Sequence, residues 1–374
     1  MNFQQIRFVF VGCLLAGVIS LSFAGVVQAQ SEQEEDLEIV SATVTRIFET
    51  REQELPGLDR TVTLQTVEFR VTEGEAEGRL VELEQDLAVL EPGQKVFLSV
   101  LETDEGVQYS LYELDRRTPL LILGLVFAAT VVAIGGWQGM RSLVSLAISF
   151  FAILYVLLPL LTHGYSPVLV SIAIGVAILT LAIYITHGVS RQSSVALFGT
   201  LIAITFSGLL AHGAVEWITL TGFASEASSY LSVTSDSITN FRGLLLGGII
   251  IGMLGALDDI AIIQVSMVNE FKRAKTDLSS FEIFMRAMRV GREHAASLVN
   301  TLVLAYVGVA LPLLLLIVGA NVSFGVLVSS ELFATEIVRT LVGSIGLILT
   351  VPITTLFATI WLTGDEETAH DHHH

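Results

Sequence analysis

Two patterns of apolar and polar positions divide the chain. From residue 37 to 114 they alternate in short runs, at 39–48, 61–71, 79–87, 95–101 and 107–114. The run Thr61-Val-Thr-Leu-Gln-Thr-Val-Glu-Phe-Arg-Val71 has the period of two that sends successive side chains to opposite faces of a sheet. Turn signals at Glu73-Gly74, Glu77-Gly78, Pro92-Gly93 and Glu105-Gly106 separate the runs. Together they predict a small antiparallel β-domain of about five strands, for which an OB-like barrel is a suitable form. The domain contains no His and no catalytic constellation, so it reads as a docking or gating module.

After Arg116-Arg117 the alternation stops and long apolar runs take over. Windows 119–138, 143–162, 168–186, 194–213, 243–267, 296–319 and 341–362 each approach the ~20 residues that cross a hydrocarbon core of about 30 Å. The expected fold is therefore an α-helical polytopic membrane protein with about seven transmembrane helices and an extracytoplasmic β-domain. With that domain outside, Arg141, Arg191, Lys272, Arg273, Lys275, Arg286, Arg289 and Arg292 fall inside, as the bias of positive charge toward the cytoplasm requires. The C-terminus is then cytoplasmic, and the loop 214–240, with Glu216, Trp217, Glu226 and Asp236, lies outside without a legible fold.

Within the internal loop, Ser279 and Glu282 form a capping box, followed by Phe281, Phe284, Met285 and Met288 at helical spacing. This predicts an amphipathic helix resting in the inner membrane interface, with a coupling helix for a partner as the alternative. A weaker amphipathic stretch, 330–339, precedes the last span on the outer side.

Residues 1–29 hold a single early charge, Arg7, then an apolar stretch ending Val27-Gln28-Ala29, which reads as a cleavable secretory signal peptide or, failing cleavage, an anchor helix. Cys13, the only cysteine, lies inside it, so the rest of the chain has no thiol chemistry. The organisation expected is signal peptide 1–29, extracytoplasmic β-domain 30–117, transmembrane domain 118–363 and cytoplasmic tail 364–374, in a bacterial cytoplasmic (inner) membrane.

Composition agrees. Mean hydropathy is +0.71, with 52% hydrophobic and 15% charged residues over 374, too apolar for a soluble chain of this length. Residues 31–117 carry 22 acidic and 8 basic side chains, which accounts for −14 of the formal charge of −18. An acidic outer domain does not suit nucleic acid. The partners expected are the lipid bilayer, a candidate envelope protein and a second copy of the chain.

Candidate chemistry gathers in the fifth window. Asp258 and Asp259 interrupt an apolar run, and ionisable groups at that depth mark ion paths, proton sites or helix contacts. Gly248, Gly252, Gly255, Asp259, Ser266 and Glu270 are spaced by three, four or seven, so they share one helical face. Glycines there permit close helix packing, and on this reasoning Asp259 points into the bundle while Asp258, about 100° away, is exposed. In the sixth window His294, Ser297 and Thr301 share a face that continues to Gly308 and Pro312, with Asn300 and Tyr306 nearby. Proline there frees a carbonyl one turn earlier, the kind of break on which transporters build sites. His163, His187 and His212 fall at window ends and read as interfacial rings. The tail histidines His370, His372, His373 and His374 are weak metal candidates.

The motif Gly252-Met-Leu-Gly255-Ala-Leu-Asp-Asp259-Ile-Ala, with Asn269-Glu270, Arg289-Val-Gly-Arg292, Asn300-Thr-Leu-Val-Leu-Ala-Tyr306-Val-Gly308 and Pro312-Leu-Leu-Leu in order, resembles the YibE/F family of bacterial multi-span membrane proteins. Arg117-Thr-Pro119 and Gly135-Gly136-Trp137 extend the resemblance. It implies an integral membrane protein with a single acid at the position of Asp259 and an apolar residue at that of Asp258. It implies no substrate.

The leading functional expectation is a secondary transporter or channel-like permease, with Asp259, Ser266, Glu270, Asn300, Thr301 and Tyr306 along its path and Gly248, Gly252, Gly255, Gly308 and Pro312 packing its helices. The alternative is an envelope assembly or scaffold protein whose β-domain binds a partner. No enzyme and no cofactor are expected. The chain lacks G-x-x-x-x-G-K and H-E-x-x-H, and two adjacent carboxylates on one helix do not make a facing aspartyl pair.

Overall fold

A computed structural model describes residues 38–54, 61–103, 106–234, 239–274, 278–319 and 323–363. The expected signal peptide and the histidines of the tail lie outside the described residues. The chain divides into two units, meeting between Ile134 and Gly135.

In the first unit, strands β1 (Glu38–Glu54), β2 (Thr61–Val71), β3 (Leu80–Gln85), β4 (Lys95–Thr103) and β5 (Gly106–Leu114) form one antiparallel sheet in the order β3-β2-β1-β4-β5. The sheet curls until its edge strands β3 and β5 approach without pairing, giving a half-barrel. Alternation fixes the register: Val40, Ala42 and Val44 face inward with Val67, Phe69, Val96 and Leu98. The four turn glycines, Gly74, Gly78, Gly93 and Gly106, all have positive φ, which explains glycine at each.

Two buried amides finish this core. Gln65 accepts from the Leu90 amide at 2.7 Å, Gln85 donates to the Ala88 carbonyl at 2.7 Å, and Gln85 donates to Gln65 at 3.2 Å. They satisfy the backbone of the loop after β3, which would otherwise bury unpaired polar groups.

Asp115 clamps the exit of the sheet. Arg117 donates to both its oxygens from Nε and Nη2 at 2.9 Å, and the guanidinium also covers the Phe97 ring at 4.8 Å. The Asp115 side chain is only 6% exposed. The Arg117 bond holds its carboxyl below the ordinary range. A carboxylate with a depressed folded pKa contributes its full stability above the unfolded value, about 3.9, and loses it as pH falls through the folded value. Limited proteolysis with an acid-active protease should show this junction opening as pH falls below the ordinary carboxylate range in wild type; Asp115→Asn should already be open to trypsin at Arg116 and Arg117 at neutral pH.

Helix α1 (Arg117–Ala152) breaks at Gly136 (φ 54°, ψ −132°) and continues through a π-turn, Ile153–Leu157, into α2 (Leu158–Thr162). The break falls at Gly135-Gly136, three residues ahead of the gap between windows 119–138 and 143–162, because only glycine tolerates that backbone. The first unit thus takes in the first arm of α1 together with the sheet.

The second unit adds α3 (Pro167–His187), α4 (Arg191–Trp217), α5 (Glu226–Thr234), α6 (Phe241–Ala274), α7 (Ser280–Val309), α8 (Leu311–Gly319), α9 (Phe324–Val328) and α10 (Glu331–Thr363). Among the described residues, five helical stretches are long and apolar enough to cross a membrane: Arg117–Thr162, α3, α4, α6 and Glu331–Leu362 of α10. The expected interfacial helix is no separate element. Its capping box is present at Ser279, but α7 runs unbroken from it to Val309, because Ile283, Ala287, Gly291 and Ala295, at steps of four, keep one face buried in the bundle. Likewise the stretch 330–339 is the first third of α10.

Helix α10 is the hub, packed by α4, α6 and α7. Its Thr350, Thr354 and Thr355 are fully buried, and Thr355 donates across to Gln264 of α6 at 2.9 Å. Most of these hydroxyls bond the carbonyl four residues back, as Thr350 does to Gly346 at 2.8 Å, so they need no other partner in an apolar bundle.

Candidate functional site

Helix α6 places the two aspartates at its midpoint. Its Leu245, Ile249, Met253, Leu257, Ile260 and Gln264 are buried, α3, α4 and α10 covering three of its sides and α7 touching it at Gln264 and near Gly252. The most open side is the glycine stripe: Gly248, Gly252, Gly255, Asp259, Ser266 and Glu270 are all exposed. This reverses the expected orientation. A Cβ at Gly248 or Gly255 would meet nothing within 4 Å, and one at Gly252 only the Tyr306 hydroxyl at 3.8 Å. Gly308 also faces open space.

The close approaches are made by other glycines. Gly199 lies against Thr354, Gly247 against Ser171, Gly291 against Gln264 and Gly346 against Ser207. Large aliphatic side chains fill most of three sides of α6, with Gly247 packed against Ser171 among them, so Gly248, Gly252 and Gly255 are left for the fourth.

Asp258 is correspondingly the inner residue of the pair. Its side chain is half-buried, and Oδ1 is shielded from solvent with no hydrogen-bond partner among the described residues. Asp259 is the more open of the two, and His187 lies exposed in the last turn of α3.

The other expected path residues do not join Asp259. No hydrogen bond among the described residues links it to Ser266, Glu270, Asn300, Thr301 or Tyr306. Glu270 pairs with Arg273 at 3.8 Å, and the Thr301 hydroxyl donates to the Ser297 carbonyl at 3.1 Å on its own helix. Asn300 is exposed, and His294 keeps a buried Nε2 without a partner. The break near Pro312 is present: α7 ends at Val309, Ala310 caps it, and α8 starts at Leu311.

The Tyr306 hydroxyl lies on the open side of α6 near Gly252, and on α10 Glu336 and Arg339 form an ion pair at 3.1 Å whose side chains are about one-third exposed. Sequence reasoning left that pair outside the last window. The spacing of three between opposite charges was the available signal.

Between α3, α4 and α6 lies an apolar groove of about 320 Å³, lined by Ile172, Leu179, Ile204, Leu246, Ile250 and Leu254 among others. Its α6 wall steps by four from Leu246 to Leu254, and the next step is Asp258. Among the described residues no cluster of three or more His, Cys, Asp or Glu forms a metal site.

Long apolar helices around an acid pair, in a chain that also holds a small β-sheet unit, define the class: a helical protein with the make-up of a membrane protein. The chain belongs to the YibE/F family; the model of YibE/F-like proteins matches residues 123–364. No curated protein and no solved structure matches it.

Proposed function

We propose that this protein is a multi-pass permease of the bacterial cytoplasmic membrane that moves a small solute or ion past the Asp258–Asp259 pair. One observation carries the reading: Asp259 is exposed at the midpoint of an apolar helix that is otherwise covered on three sides. A carboxylate facing hydrocarbon there costs several kcal/mol, so the uncovered side of α6 faces water or a polar partner. The bare glycines above it leave room for a passing solute.

The expected seven spans are kept in this reading: the break at Gly136 would divide the stretch Arg117–Thr162 into two, and α7 with α8 would add one to the five long apolar stretches. The half-barrel, taken as an OB-like module outside the membrane, gates the path or recruits an envelope partner. The scaffold alternative leaves the acids of α6 unexplained.

The test is water access. In a Cys13→Ser background, a membrane-impermeant cationic thiosulfonate should label Asp259→Cys in intact vesicles and leave Leu257→Cys, fully buried in the core, unlabelled. If Asp259→Cys reacts only with a lipid-soluble maleimide, the carboxylate faces lipid and the path is lost.

A further inference from the structure

The acid pair alone does not say what it meets, but the groove beside it narrows the chemistry. Its walls span residues 168 to 179 on α3, three turns of helix, or about 16 Å at 1.5 Å per residue. They are almost wholly aliphatic. The Thr205 hydroxyl is committed to the Leu201 carbonyl at 2.8 Å, and His212 stands at the end nearer the α4 C-terminus. The opposite end is lined by Leu179, Leu201 and Leu254, and Asp258, not itself a lining residue, follows Leu254 one turn or about 6 Å further along α6. There Oδ1 is shielded and has no hydrogen-bond partner among the described residues, and the next residue is a second carboxylate, Asp259. No cation among the described residues pairs with Asp258.

An aliphatic cavity that ends toward an uncompensated carboxylate favours a ligand with an apolar body and one positive charge. A neutral acyl chain would fill the walls and leave the carboxylate bare, and an anion would be repelled. We propose that the groove between α3, α4 and α6 binds a lipophilic monocation, with its apolar body against Ile172, Leu179, Ile204, Leu246 and Ile250 and its charge toward Asp258. This rests on the permease reading for its biological meaning and supplies that reading with a substrate class. The site itself stands on the groove and the orphaned oxygen.

Equilibrium binding to the full-length protein in nanodiscs, with tetraphenylphosphonium against tetraphenylborate, tests it. The two probes share a shape and differ in the sign of charge. The phosphonium should bind saturably and the borate should not. Asp258→Asn, which keeps the side-chain shape, should weaken phosphonium binding tenfold or more. Gly208→Leu should do the same by filling the groove, since a side chain there starts in open space. Gly213→Leu, outside the groove and equally unobstructed, should bind as wild type and control for folding.

Equal binding of both probes overturns the proposal, as does wild-type affinity in Asp258→Asn and Gly208→Leu. A co-purifying lipid displaced only by Gly208→Leu also overturns it, since the groove would then be an acyl-chain seat. Binding requires no flux. Saturable phosphonium binding without any transport would contradict the permease and leave the site, whereas transport of a small ion without phosphonium binding would do the reverse.

Discussion

Gly222→Ala should destabilise the protein by about 3 kcal/mol or more, an effect found only where a backbone position admits one residue type. Gly222 has φ +93°, and a Cβ on it would collide with the main-chain carbonyl of Phe241. Neither neighbour can yield easily. Glu331, at the start of α10, accepts from the amides of Thr221 at 2.7 Å and Gly222 at 2.6 Å and from the Thr221 hydroxyl. Arg242 donates to the Leu220 carbonyl at 3.0 Å and pairs with Glu216 at 2.8 Å, and the rings of Phe223 and Phe241 lie 4.4 Å apart. Thr219, at φ +59°, is the only non-glycine residue with positive φ among those described, so the turn already stores backbone strain that these bonds hold in place. Thermal unfolding in detergent should show a large fall for Gly222→Ala and little change for Gly213→Ala, where no atom lies near. Equal melting temperatures would mean the turn is not built in this way.

The second large effect has the opposite sign for stability. Asp258 keeps a shielded oxygen without a partner beside a second carboxylate, and a group of that kind costs about 1–3 kcal/mol. Asp258→Leu should therefore raise the melting temperature while abolishing function, the trade expected where an acid is kept for work and not for folding. A lower melting temperature would show instead that the carboxylate has a structural partner, and the site would have to be reassigned.

Much of this was legible in the chain. Period-two alternation placed all five strands, and turn glycines marked four positions that do have positive φ, because both signals are local. Long apolar runs located the helices. Helical phase also found the stripe from Gly248 to Glu270, but assigned it the wrong environment. The inference that glycines face a neighbouring helix holds for a helix with one packed side, and α6 has three. Large aliphatic residues took most of those sides, so Gly248, Gly252, Gly255 and Asp259 were left on the fourth and Asp258 turned inward. The remaining misses are contacts distant in sequence. Glu331 reaches Thr221 across 110 residues and Thr355 reaches Gln264 across 91, distances at which spacing carries no signal. The groove below Leu246 likewise needs three helices, none of which shows it alone.

The most direct measurement is ion and solute flux in proteoliposomes of defined orientation, comparing wild type with Asp259→Asn and Asp258→Asn at equal incorporation. The account predicts a gradient-driven flux in wild type, reduced at least tenfold in both variants, with unchanged folding by thermal melting. Flux indistinguishable from wild type in both variants, or from empty liposomes in all three, would contradict it.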